Sequence, residues 1–320
     1  MGRALSSAFP AADEIFVRAD RALGFSIRAL CFDGPEAELT LTRHTQPAIV
    51  TTSIATLAAI RAAHPELRAP SFAAGHSLGE YSALVASGAL TLEDAVRIVH
   101  LRGRAMQEAV PEGEGGMAAV MGGDRAAVEA LCREAAEGDV VAPANFNAPG
   151  QIVISGHKRA VDRAALLAGS KKLKAIPLKV SAPFHCALMA PAAHAVEAAL
   201  AQLTLAKARF PVIANATALP NQDAEAAKAL LVRQIDAPVL WEQTIALMAE
   251  SGITHALEIG PGKVLANLVK RIDKRIAVLS VGDAEGIAKI PEFLGHFDAS
   301  RSLPLAPGAD ATGRETDFPL

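Results

Sequence analysis

The stretch Gly75-His76-Ser77-Leu78-Gly79 constrains this chain more than any other. It follows a short apolar run of small residues, "PSFAAG" (70–75), and precedes a segment that reads as helix from about residue 78. Strand, tight turn and helix with G-x-S-x-G at the corner is the pattern of a nucleophile elbow. The turn is sharp and presses helix against strand, so side chains at Gly75 and Gly79 are expected to clash. Ser77 is then presented at a helix N-terminus, where the Leu78 N–H can face a developing oxyanion. A serine that merely caps a helix after a Gly-rich turn has the same five letters. The pentapeptide alone leaves both readings open.

Bulk properties narrow the field. With 320 residues, 51% of them hydrophobic, the chain can build one large domain or two smaller ones around a sizeable core. A net charge of -3 argues against nucleic acid as the main partner. The three cysteines, Cys31, Cys132 and Cys186, are far apart and form no CxxC pair. That argues against a zinc site or a disulfide framework and fits a reducing cytosol. No apolar run reaches the roughly 18 residues of a membrane span. Arg3, Asp13 and Glu14 are unlike a secretory signal, so a cytoplasmic protein without membrane association is expected.

Periodicity predicts an α/β chain. Helices are expected over 11–31, over 45–64 with Pro47 in the first turn, and over 91–110 with Thr91 as N-cap. Residues 116–180 change rhythm. "MAAVMG", "VVAPANFN", "QIVISG" and "LKAIPLKV" read as strands, with helices after the first and third. The order β-α-β-β-α-β is ferredoxin-like. Afterwards "PVIANAT", "THALEIG" and "IAVLSVG" alternate with helices, so the middle unit reads as an insertion into a parallel-sheet domain. The expected division is a discontinuous α/β-hydrolase-like domain (1–112 and 184–300), a ferredoxin-like subdomain (113–183) and a disordered tail (301–320).

Other residues bear on Ser77. On the helix after the elbow, Leu92, Ala95, Val96, Val99, Gly103 and Met106 form one apolar stripe, with Arg102 at its edge. A guanidinium turned toward a core needs an anionic partner. Either the arginine snorkels to water or pairs with an internal carboxylate, or it holds a substrate carboxylate bidentately. His185, in "VSAPFHCALMAP", is by itself a core histidine as readily as a base. Paired with an elbow serine it becomes the natural general base. The Gly-Pro-Gly of "EIGPGKVLANL" reads as a structural turn before a helix or as a phosphate site, and Lys171, Lys172 and Lys174 as a solvated face.

Together "LTRHTQPAIV", "AGHSLGEYSALVASGALTLEDAVRIVHLRGRAMQEAVP", "GGMAAVMG", "NFNAPGQIVISG", "SAPFHCALMAPA" and "EIGPGKVLANLVKRI" resemble malonyl-CoA:acyl carrier protein transacylases. The chain is also similar to the acyltransferase domains of polyketide synthases. The resemblance runs from residue 2 to about 290. It implies ping-pong transfer of a malonyl group from malonyl-CoA to the phosphopantetheine thiol of acyl carrier protein, with no cofactor and no metal. Ser77 would be the nucleophile and His185 its base. Arg102 would hold the malonate carboxylate. Gln234, in "RQIDAPVLW", would orient the histidine through its main-chain carbonyl, so that no acidic residue need complete a triad. Leu78 would give one oxyanion N–H, and the Phe184 ring would favour malonyl over α-methylated chains.

Family members begin with a strand and a "GQGSQ"-like loop ahead of the segment that here reads "MGRAL". The resemblance therefore implies a start further upstream, or a chain lacking a second oxyanion donor. Two alternatives follow from the residues. A serine esterase or thioesterase would use Ser77 and His185 but has no need of Arg102. A non-catalytic carrier-protein-binding protein would form no acyl-serine.

Overall fold

The computed structural model describes residues 1–178, 180 and 182–295, so the tail expected over 301–320 lies outside the described residues. In chain order the strands are β1 (Ala73–Ala74), β2 (Gly115–Met121), β3 (Val141–Ala148), β4 (Gln151–His157), β5 (Lys174–Pro177), β6 (Val212–Ile213), β7 (Pro220–Asn221), β8 (His255–Ile259) and β9 (Ala277–Val281). They form small open sheets in a mixed α/β fold. The strands β2 to β5 pair antiparallel in the order β3-β4-β2-β5, the ferredoxin-like order. Alternation explains the pairing. Ala118 and Val120 on β2 and Ile152 and Ile154 on β4 face helices Arg125–Ala136 and Lys158–Ser170, and bury Val128, Leu131, Ala160 and Ala164. The β3–β4 hairpin closes through Pro149 and Gly150, whose φ is 69°. A side chain at that angle would be strained, and glycine is not.

The remaining strands include two parallel pairs. β1 runs beside β6, with β7 antiparallel on the far edge, and β8 runs beside β9. Two of these strands are much shorter than the expected runs over 70–75 and 211–217. Beyond Ala74 and Ile213 the backbone ladder gives way to a side chain. Asn215 Nδ2 donates to the Gly75 carbonyl, and the Ser77 N–H donates to Asn215 Oδ1.

Helices Pro10–Leu23, Thr42–Ala63, Leu92–Glu108 and Ala190–Leu200 surround the larger core, which buries Phe16, Ala55, Val99, Met106 and Val196. The helix expected over 11–31 is two. Gly24, at φ 75°, ends Pro10–Leu23, and the Ser26 hydroxyl caps Ile27–Asp33. Pro47 lies inside Thr42–Ala63 instead of in its first turn. Proline leaves the carbonyl four residues earlier without its helical donor. That carbonyl, on Arg43, is 2.8 Å from His100 Nδ1 instead. Thr91 caps Leu92–Glu108 as expected, its hydroxyl accepting from Asp94 N–H at 3.1 Å. At the Gly-Pro-Gly turn the Glu258 carboxylate accepts from the N–H groups of Leu265 and Ala266. It fills the anion position at that helix start, so the turn is structural.

Candidate active site

The elbow is built as its glycines require, with one correction. A Cβ on Gly75 would lie 2.0 Å from the Gly79 carbonyl carbon. A Cβ on Gly79 would meet nothing within 4 Å. The close approach is between the Gly75 α-carbon and the helix backbone, so one glycine of the pair satisfies it. Ser77, at φ 52°, sits between them in the left-handed region, just ahead of helix Gly79–Ala86. His185 is also left-handed, at φ 59°. Such angles are rare for residues other than glycine and persist only where surrounding contacts fix them.

These two strained residues meet. Ser77 Oγ lies 2.8 Å from His185 Nε2, although 108 positions separate them in the chain. On the far side of the ring His185 Nδ1 is 2.8 Å from the Gln234 carbonyl oxygen. A carbonyl only accepts, so Nδ1 carries the proton and Nε2 offers its lone pair to the serine hydroxyl. The Gln234 carbonyl, not an acidic side chain, stands at the third position. His185 is 4% exposed. Burial first, and then the Arg102 charge, push its pKa down to about 3. At neutral pH it is an uncharged base.

Arg102 is 1% exposed, deeper than the stripe's edge suggested. Its Nη2 donates to Ser77 Oγ and to Gln234 Oε1, each at 2.9 Å. Its Nη1 donates to Gln46 Oε1 at 2.7 Å, and the Tyr81 ring lies 5.6 Å from the guanidinium carbon. Nε has no hydrogen-bond partner. Burial lowers the pKa of this arginine, while Tyr81 and Glu80 oppose the shift. Arg102 can lie this deep because Gly103 brings its helix onto Thr42–Ala63. A Cβ there would stand 2.5 Å from the Thr42 carbonyl oxygen.

The remaining expected residues surround this centre. Leu78 follows Ser77 at the N-cap of Gly79–Ala86. Phe184 is half-buried beside His185 and packs toward Met117, Ala144 and Val153 of the ferredoxin-like sheet. Gln234 acts through both ends. Besides its carbonyl bond to His185, its Nε2 donates to the Ser77 carbonyl at 2.9 Å. The sequence reading missed Gln46, Glu80 and Asn215. Only Glu80 carried a local signal, being a carboxylate three residues past the serine on the helix it opens. Among the described residues no group of three or more His, Cys, Asp and Glu could hold a metal ion. Cys31, Cys132 and Cys186 are free and buried. No described helix is long and apolar enough to cross a membrane.

Ser77 on a strained elbow, a neutral His185 oriented by a carbonyl and the buried Arg102 guanidinium on the serine oxygen form an arrangement of the kind that nucleophilic acyl transfer uses. The family model described as "Acyl transferase domain" matches residues 1–290, and the chain belongs to that family. It is 46% identical over 292 residues to the malonyl CoA-acyl carrier protein transacylase of Escherichia coli O157:H7, covering 90% of this chain and 93% of that protein. To the Bacillus subtilis protein of the same name it is 45% identical over 289 residues, 90% of each. The solved malonyl CoA-acyl carrier protein transacylase of Coxiella burnetii superposes with a TM-score of 0.89 at 41% identity, covering 92% of this chain and 93% of that one. A malonyl-transacylase solved in complex with its type II PKS acyl-carrier protein gives 0.87 at 43%, covering 91% and 94%.

Proposed function

We propose that this chain transfers a malonyl group from malonyl-CoA to the phosphopantetheine thiol of an acyl carrier protein through a malonyl-Ser77 intermediate. The observation that carries this is Arg102. A fully buried guanidinium, hydrogen-bonded only to hydroxyl and carbonyl oxygens, touches the nucleophile itself. Arginine stays charged, and its planar fork matches a carboxylate. An esterase of neutral substrates gains nothing from a cation there.

The steps follow from the contacts. His185 Nε2 takes the hydroxyl proton as Ser77 Oγ attacks the thioester carbonyl. The Leu78 N–H, at the start of its helix, faces the resulting oxyanion. Collapse breaks the C–S bond, and the departing CoA thiolate takes the proton from His185. The carrier thiol then gives its proton to His185 and attacks the ester, and Ser77 recovers its proton as the thioester forms. Throughout, Arg102 holds the malonyl carboxylate and Phe184 walls the side where an α-methyl would stand. No step calls for a cofactor or a metal.

The ferredoxin-like subdomain is taken as 113–183 and the catalytic domain as 1–112 with 184–300. Separate apolar clusters support that division. A reduced cytoplasm suits three free thiols.

Intact-mass spectrometry after exposure to malonyl-CoA tests the proposal. The expected result is one malonyl adduct on the wild-type chain and none on Ser77→Ala, with the adduct discharged by carrier protein. Rapid CoA release without carrier would favour a thioesterase instead.

A further inference from the structure

Glu80 takes no part in the transfer as drawn, yet it is 3% exposed and lies beneath the reacting pair. One of its oxygens, Oε2, accepts from the Asn215 backbone N–H at 2.9 Å and from Gln234 Nε2 at 2.8 Å. Each of those residues grips the elbow. Asn215 Oδ1 accepts from the Ser77 N–H at 2.6 Å, and its Nδ2 donates to the Gly75 carbonyl at 2.8 Å. Gln234 holds the Ser77 carbonyl, Arg102 and the His185 ring. A carboxylate only accepts. It therefore turns the Gln234 amide so that NH₂ faces Glu80 and Ser77 while the oxygen faces Arg102.

We infer that Glu80 is a positioning residue for acyl transfer, acting through Asn215 and Gln234 to hold the Ser77 backbone in its left-handed conformation and the His185 ring against it. This rests on the proposed malonyl transfer at the same site. The physical need is plain. A serine at positive φ relaxes unless its backbone groups are tied, and a small misplacement of nucleophile and base is costly in rate. Through one atom Glu80 supports both the grip of Asn215 and Gln234 on the Ser77 backbone and the Gln234 residue that holds the His185 ring. The charged or titratable groups that bear on it are Arg102 and Tyr81. Its chief contribution is nonetheless the pair of accepted hydrogen bonds, which an amide oxygen can also accept.

Steady-state kinetics of the full chain with malonyl-CoA and carrier protein, on wild type, Glu80→Gln and Glu80→Leu, tests this. Glu80→Gln keeps an oxygen at the Oε2 position, so kcat should stay within about fivefold of wild type, while Glu80→Leu should lower kcat by about 10²-fold. KM for malonyl-CoA should stay within about threefold in both, because Gln46 still holds the Arg102 fork. Wild-type kcat in the leucine variant, an equal fall in both variants, or a loss confined to KM would overturn the inference. Should Glu80→Leu fail to fold, Asn215→Ala keeps Glu80 and removes the side-chain grip on the elbow. Its kcat should fall by at least about tenfold, and an unchanged kcat overturns the inference. A wild-type chain that transfers no malonyl overturns the functional reading, and the inference with it.

Discussion

The ferredoxin-like sheet and the strands around Ser77 solve the same problem differently. In the sheet, β2 and β4 pair over seven successive positions, from Gly115↔His157 to Met121↔Gln151. Backbone groups satisfy one another, and alternating side chains fill the core. At the elbow β1 and β6 share two paired positions, and a buried cluster of Asn215, Glu80, Gln234, Arg102 and Gln46 takes over from the ladder. Backbone pairing is regular and local in its rules, but it cannot hold a serine at positive φ with a histidine ring against it. A side-chain network can, at the cost of burying charge. The sheet should therefore tolerate the loss of single polar contacts that the elbow does not.

The largest expected effect is steric and lies at the elbow. Gly75→Ala places a methyl against the Gly79 backbone and should destabilise the fold by about 3 kcal/mol or more. Chemical denaturation measures it, and a loss below about 1 kcal/mol would show that the elbow is not rigid.

Next is the carboxylate of Glu80, whose pKa burial raises to about 7 from a reference of 4.5. The folded state then holds its proton to a higher pH than the unfolded state does. The stability associated with that proton is fully present below about 4.5 and declines as pH rises to about 7. Glu80→Gln cannot lose that proton. Its stability relative to wild type should rise through this window, by about 3 kcal/mol in all, and level off above it. A difference that does not vary with pH would mean that Glu80 is not ionised against the burial penalty.

Arg102→Ala should lower kcat/KM for malonyl-CoA by about 10²-fold, the usual scale for removing one partner of a buried charge contact. It should also raise the His185 pKa, since Arg102 is the second largest cause holding it down. The acid limb of single-turnover acylation should therefore move to higher pH than in wild type. An acid limb that stays in place would mean that burial alone sets the histidine.

The smallest effect belongs to the subdomain. Lys158 and Asp162 pair at 2.6 Å on the outside of their helix, with side chains 56% and 55% exposed. Lys158→Ala should change stability by no more than about 0.5 kcal/mol in thermal unfolding and leave transfer unchanged. A larger loss would erase the contrast between the two regions.

Much of this was legible in the chain. Alternation and the Pro149-Gly150 turn gave the ferredoxin-like order before any strand was paired. G-x-S-x-G, the arginine beside an apolar stripe and the lone histidine in its Pro-bounded loop each left two readings open, because residue type and helical spacing are local properties, and the family resemblance chose between them. Resemblance added Gln234, which no periodicity marks. Besides the helix over 11–31, which is two, three features of the core were misjudged. The elbow needs Gly75 far more than Gly79, Pro47 sits well inside its helix, and the parallel strands beside the elbow are only two residues long. Each depends on a contact made only on folding: Gly75 against the backbone of Gly79 and Glu80, the Arg43 carbonyl with the ring of His100, and the elbow with the amide of Asn215.

The sequence by itself determined the order of elements and marked Ser77, Arg102 and His185 as candidates, since residue type and short-range spacing are local properties. Tertiary structure decided how the site is held. Gln46, Glu80 and Asn215 join it only because folding removes them from water. Once buried, each donor and acceptor must find a partner among residues far away in the chain, and that requirement fixes the strained serine and histidine on one another.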